Sequence, residues 1–182
     1  MKNDMVKKAI FLTKDGSICG AYINIDTYNN RENINIYTYN SEGIETGRAR
    51  VNQIHNNEYY IFDIYCYSVF RGNGIGTMML KIIEAIIPSN VYLRGVFSPY
   101  QDRADTSKGR IIEYDKLFSS VRDFYSKNGY IFYKTKGIIK LEKYITFKEN
   151  NFRLYDDILF DTNLCDYNIN NYDKLIKRLS KR

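Results

Sequence analysis

The amino-acid sequence predicts an α/β (α+β) protein, one domain on a mixed, largely antiparallel sheet with flanking helices. Three observations carry that prediction. Residues 6–69 hold five β-rich runs. Residues 69–97 then read as a glycine loop, an amphipathic helix and a further strand, and residues 111–145 as a helix followed by a hairpin. At 182 residues the chain suits one domain with an appendage, placed here as residues 1–145 and 146–182.

Each element has its own signal. Val6–Leu12 and Ile18–Ile25 flank the turn residues Lys14-Asp15-Gly16-Ser17. Ile34-Asn35-Ile36-Tyr37-Thr38-Tyr39 alternates at period two, the mark of a half-buried strand, and Asn40-Ser41-Glu42-Gly43 turns the chain into Ile44–Ile54. Tyr59–Val69 is a nearly continuous apolar run, as expected of a strand buried on both faces. In Thr77–Ile87 the apolar residues recur at positions 78, 79, 82, 83, 86 and 87, which is helical spacing, and Pro88 ends the helix. Val91–Phe97 returns to strand. The crossover connection should be right-handed and set it parallel to the strand before the loop. Ser98–Arg110 is polar and reads as a loop or lid beside the site. Ile111–Asn128 reads as a helix with Gly129 at its C′ position, and Tyr130–Tyr133 with Ile138–Ile145 as a hairpin around Lys136-Gly137. A short helix is expected near Tyr172–Leu179.

Composition narrows the function. No run approaches the ~18 apolar residues of a membrane helix, and the start of the chain lacks a secretory pattern, so a cytoplasmic protein without membrane association is expected. Three scattered cysteines and a single histidine, His55, argue against a disulfide framework and a metal site. The net charge is +6, and residues 173–182 hold five bases against one acid. Such a tail reads first as a solvated helix face and second as a contact for nucleic acid. A homodimer is a further possible partnership.

The strongest signal is Arg71-Gly72-Asn73-Gly74-Ile75-Gly76. Three glycines at alternate positions let backbone N–H groups converge without side chains in the way, and the following helix adds its positive end, which suits a phosphate or pyrophosphate. A phosphate-binding P-loop would need Gly-Lys-Ser/Thr, which is absent, and a dinucleotide fingerprint would need glycine at position 77, which is Thr.

These residues resemble the acyl-CoA loop of the GCN5-related N-acetyltransferase (GNAT) family. A second match lies about fifty residues on, where Asp123-Phe124-Tyr125-Ser126-Lys127-Asn128-Gly129-Tyr130 resembles the family's FYxKxGF helix end. The resemblance spans about Ile44–Ile145. It implies transfer of an acetyl group from acetyl-CoA to an amine acceptor, and two central parallel strands that splay apart to admit the CoA. It assigns the pyrophosphate to the backbone of Arg71, Gly72, Asn73, Gly74, Ile75 and Gly76, with Thr77 at the helix start. It assigns the pantetheine and acyl carbonyl to main-chain groups around Cys66, Tyr67 and Ser68. Ser68 stands where the family usually has proline, and Phe118 where it often has an asparagine.

Amine acylation needs a neutral amine and an acid for the departing thiolate. Tyr125 matches the family's acid, and a phenol near pKa 10 suits that role. Asp63, within Ile61-Phe62-Asp63-Ile64-Tyr65, is the first candidate base because its apolar neighbours predict burial, and Glu58 is the second, acting through water. Cys66 would lie near the thioester, but no base adjoins it in sequence, so direct attack by the amine is expected, with backbone N–H groups holding the oxyanion. The rival readings are an acyl-CoA-binding module without catalysis and an acyltransferase acting on aminoacyl-tRNA.

Overall fold

The computed structural model describes residues 3–98, 113–146, 152–155, 158–161 and 164. Its strands are β1 (Asn3–Leu12), β2 (Ile18–Tyr28), β3 (Arg31–Asn40), β4 (Glu45–His55), β5 (Glu58–Cys66), β6 (Val91–Val96), β7 (Ile131–Thr135), β8 (Ile138–Ile145), β9 (Phe152–Tyr155) and β10 (Ile158–Asp161). The helices are α1 (Ile75–Ile86) and α2 (Tyr114–Lys127), with a 3₁₀ turn at Ser68–Phe70. All the strands join one sheet in the order β7-β8-β6-β5-β4-β3-β2-β1-β10-β9. Only β5–β6 and β1–β10 pair in parallel. The fold class is therefore the expected one, mixed and mostly antiparallel, but the parallel pair β5–β6 lies third and fourth from the β7 edge rather than at the centre, because the meander and β9–β10 extend the other side.

The β1–β5 meander runs further than the alternation alone suggests. Asn29 and Asn30 both adopt left-handed φ, 50° and 56°, which makes a tight primed turn and extends β2 and β3 right up to it. Alternate residues of the meander supply one buried face, with Ile23, Ile36, Ala49 and Val51 among them. Helix α1 lies across β3, β4 and β5 on that face and buries Met78, Met79, Leu80, Ile82 and Ile83. Burying each such side chain contributes roughly 1.5–3 kcal/mol, so the α1 stripe and the meander form the core that holds the site.

Three elements differ from the sequence reading. β5 ends at Cys66, not Val69, because Phe70 N–H turns back to Tyr67 C=O (2.9 Å) and starts the 3₁₀ turn. The segment read as an appendage supplies β9 and β10. Lys8–Ile10 pair with Ile158–Phe160, and Phe152 and Leu159 enter the main core. Helix α2 starts at Tyr114, while all but Ser98 of the loop expected over Ser98–Arg110, Ile111 of the expected helix start, Cys165 and the helix expected near Tyr172–Leu179 lie outside the described residues. The end of α2 is as expected. Gly129 has φ 81°, its N–H reaches Ser126 C=O (3.0 Å), and Tyr130 N–H reaches Tyr125 C=O (3.1 Å), a complete Schellman cap.

Candidate active site

The site is made where the central sheet opens. β5 and β6 pair from Glu58–Tyr92 to Ile61–Gly95, and the ladder stops there although β5 continues to Cys66. Two local features set that point. Phe62 is an extra residue against β4, since Arg50 faces Asp63 while Val51 faces Ile61, and such a bulge bends and twists its strand. Gly95 closes the paired part, because a Cβ there would lie 3.3 Å from both the Ile61 carbonyl oxygen and a Leu141 methyl. Beyond it lies a cleft of about 760 Å³ between the parted strands, floored by α1 and walled by α2.

Strand alternation decides which backbone groups the cleft sees. Tyr67 N–H points to Thr46 C=O on the β4 side (3.1 Å), so the main-chain groups of Ile64 and Cys66 turn the other way, toward the cleft. β5 is held close to β4 by Gly47. A Cβ at that position would sit 2.6 Å from the Tyr65 carbonyl oxygen and 3.2 Å from the Met79 methyl.

One end of the cleft is the glycine loop. Gly72 (φ 87°) and Gly74 (φ 84°) occupy left-handed backbone, which side-chain-bearing residues rarely adopt. Gly74 is the N-cap of α1, no side chain caps the helix, and its first turn carries no acid. The unpaired N–H groups and positive dipole end thus keep their capacity for an anion. The cations Arg71 and Lys14 line the same end. Arg71 also donates from Nε to Cys66 C=O (3.0 Å), which ties the loop to the end of β5.

The second motif closes the other wall and meets the first. A Cβ on Gly76 would lie 3.1 Å from the Phe124 ring, so the third glycine is required by packing rather than by φ. Asn128 donates to Phe124 C=O (2.7 Å) and lies 3.5 Å from Thr77 Oγ1. Tyr125 projects into the cleft between Phe124 (centroids 4.9 Å apart) and Tyr130 (5.4 Å). Its phenol is pushed up to about 12, first by burial and then by the Asp63 charge. The Cys66 thiol, also on the cleft, is pushed up to about 11 by burial against the opposing charge of Arg71. A thiol held so high is protonated at neutral pH and is a weak nucleophile.

The residues singled out from the sequence separate into three groups. Asp63, Cys66, Arg71, Gly72 and Tyr125 line the cleft, with Gly74, Ile75, Gly76 and Thr77 at its floor. Asn73, Tyr67 and Ser68 are neighbours that do not line it. The Asn73 carbonyl accepts from Lys14 N–H (2.9 Å), Tyr67 donates to Glu45 Oε1 (3.1 Å), and Ser68 opens the 3₁₀ turn. Glu58 stands apart, eight residues before Cys66 along β5, or roughly 26 Å by strand rise. There it forms an ion pair with Arg94 (3.0 Å), which also binds Glu142 (2.5 Å).

The predicted burial of Asp63 is corrected. Its side chain is 41% exposed and is paired with Arg50 at 3.1 Å. The bulge turns this stretch outward, so Phe62 beside it is 50% exposed, and apolar neighbours in sequence do not become a dry environment. Sequence reasoning missed Lys14 and Arg48, which come from the β1–β2 turn and from β4, and it noted Phe118 where the family often has a cofactor-binding asparagine. Phe118 instead stacks edge-on to Phe97 (4.7 Å), anchoring α2, while Ser120 faces the cleft. The family's helix-end motif pointed to this wall but not to its individual contacts.

No protein-family model and no curated protein sequence matches the chain. Among solved structures it is similar to a protein of Klebsiella pneumoniae assigned as an acyl-CoA N-acyltransferase, at 15% identity and TM-score 0.46 over 62% of this chain and 72% of that one. It is also similar to an assigned acetyltransferase of the GNAT family from Bacteroides thetaiotaomicron, at 12% identity and TM-score 0.42 over 63% and 62%. A third is an assigned streptothricin acetyltransferase of Bacillus anthracis in complex with acetyl coenzyme A, at 15% identity and TM-score 0.42 over 80% and 89%. These are likenesses of fold alone, and the chemistry below rests on the cleft.

Proposed function

We propose that this protein is an acyl-CoA-dependent N-acyltransferase of the GNAT type, moving an acetyl group from acetyl-CoA to a primary amine by direct attack. The observation that carries this reading is the parting of β5 and β6 after Ile61–Gly95, which sets an anion-binding helix start at one end of a cleft and a tyrosine acid on its wall.

The residues fit such a donor. The N–H groups around Gly72–Gly76 and the start of α1 suit a diphosphate, and the absence of Cβ atoms at Gly72 and Gly74 leaves the backbone open to it. Acetyl-CoA supplies an acyl group already activated as a thioester. The Ile64 and Cys66 main chain runs along the parted edge, where an N–H can hold the acyl oxygen. Tyr125 keeps its proton at working pH and delivers it to the departing sulfur. Asp63 is the carboxylate that reaches the cleft, and water can relay a proton to it from the attacking amine. The high Cys66 thiol argues against a covalent acyl-enzyme route.

The test is thermal unfolding with acetyl-CoA and CoA, with NAD and ATP as controls, followed by thiol release on a panel of amines. A ligand that binds only the folded state must raise the midpoint. A rise with both CoA forms plus thiol release supports the reading. No rise with either overturns it. A rise with no release on any amine favours a CoA-binding module, the reading to which the Phe118 replacement lends weight.

A further inference from the structure

The β1–β2 turn belongs to the first hairpin, yet it sits against the glycine loop some sixty residues later in the chain. Lys14 N–H donates to Asn73 C=O (2.9 Å), and the Lys14 stem runs along Gly74, its Cγ 3.3 Å and its Cε 3.7 Å from where a Cβ on Gly74 would be. The turn is well tied. Thr13 donates to Ser17 C=O (2.8 Å) and to Asp15, and Ser17 N–H donates to the Asp15 carboxylate (3.1 Å). The acid next to Lys14 is thus engaged within the turn, and among the described residues the Lys14 ammonium makes no ion pair. It lines the cleft at the end where Arg71 and the start of α1 already favour negative charge.

We infer that Lys14 is a ligand for a phosphate group of the CoA donor, supplied by the first hairpin as the outer wall of the anion site. This rests on the acyl-CoA reading. The geometry separates two roles of the residue. Its backbone latches the turn to the loop whatever side chain is present, and Lys14→Gln keeps Cγ and Cδ beside Gly74 while removing the ammonium and Cε. Position 14 is therefore a place where charge can be removed without moving the loop.

The experiment is calorimetric titration of the wild-type protein, Lys14→Gln and Lys14→Arg with CoA and with 3′-dephospho-CoA, each at two salt concentrations. The Gln variant should bind CoA roughly three- to tenfold more weakly, the scale of one screened charge contact. Its affinity should fall less steeply with salt, and the Arg variant should recover most of the loss. An equal loss for both ligands assigns the ammonium to the diphosphate, and a loss for CoA alone assigns it to the 3′-phosphate. Unchanged affinity in Lys14→Gln overturns the inference and leaves the acyl-CoA reading standing. So does a loss whose salt dependence matches wild type, because that would be a structural effect. If the wild-type protein binds neither ligand, the acyl-CoA reading itself has failed.

Discussion

The two halves of β5 differ in one respect that matters for function. Over Glu58–Ile61 the strand is laddered on both edges, and Arg94 straps it by pairing with Glu58 and Glu142 across β5, β6 and β8. Over Phe62–Cys66 it keeps only its β4 neighbour, and the edge toward β6 opens into the cleft. Both halves carry the same kind of apolar sequence. The difference comes from an extra residue at Phe62, the tight approach at Gly95, and the packing of α1 and α2 into the gap. A strand can be half structural and half functional without any change in composition.

The comparison breaks most severely at Gly47. A methyl group there would collide with the Tyr65 carbonyl at 2.6 Å, so Gly47→Ala should push the open half of β5 away from β4. The expected loss is about 3 kcal/mol, or roughly 10 °C in melting temperature for a chain of this size, with CoA binding lost as well. Urea denaturation reads it, and a variant as stable as wild type would mean the backbone yields at no cost.

The next largest effect is on catalysis alone. Tyr125→Phe keeps the ring packing against Phe124 and Tyr130 but removes the hydroxyl proposed as the proton donor. Turnover should fall roughly a hundredfold with CoA affinity little changed, and parallel kinetics and titration decide it. Retained turnover across pH would remove Tyr125 from the mechanism.

The open half also has a pH signature. Cys66 and Tyr125 are acids whose folded values, about 11 and about 12, lie above their ordinary values, first because of burial. The folded state therefore holds their protons longer than the unfolded chain does, and stability falls as pH rises through this range. It should be intact below about pH 9, decline first through the thiols of Cys66 and of the buried Cys19, and then, above pH 10, through Tyr125 and the likewise raised phenols of Tyr59 and Tyr130. Cys66→Ala should flatten the lower part of that decline and Tyr125→Phe the upper part in urea midpoints measured from pH 8 to 11.5.

The smallest effect belongs to the closed half. Glu58→Gln should cost about 1 kcal/mol, because the Arg94 strap is partly exposed and Glu142 remains, and acyl transfer should keep its rate and pH profile. A collapse of turnover in this variant would return Glu58 to the list of bases.

Much of this site was legible in the sequence, and the rest was hidden for identifiable reasons. The glycine loop, the α1 stripe and the FYxKxGF-like helix end are local patterns, and each stands where it was read. Their meeting, with Phe124 on Gly76 and Asn128 beside Thr77, follows from the fold. Asp63 was misread because apolar neighbours along a strand do not reveal a bulge, which is a relation between two strands. Gly47 gave no signal, since nothing local distinguishes a glycine needed for close approach from a tolerated one. β9 and β10 are four residues each and reach the sheet only through β1.

Local physical chemistry in the chain determined most of the elements, their order and a glycine loop at a helix start, because alternation, helical spacing and backbone freedom act over a few residues. Only the tertiary structure decided where β5 and β6 part, which carboxylate reaches the cleft, and that Lys14 of the first hairpin meets Asn73 and Gly74. Those depend on register and packing between segments far apart in sequence, and no single segment encodes them.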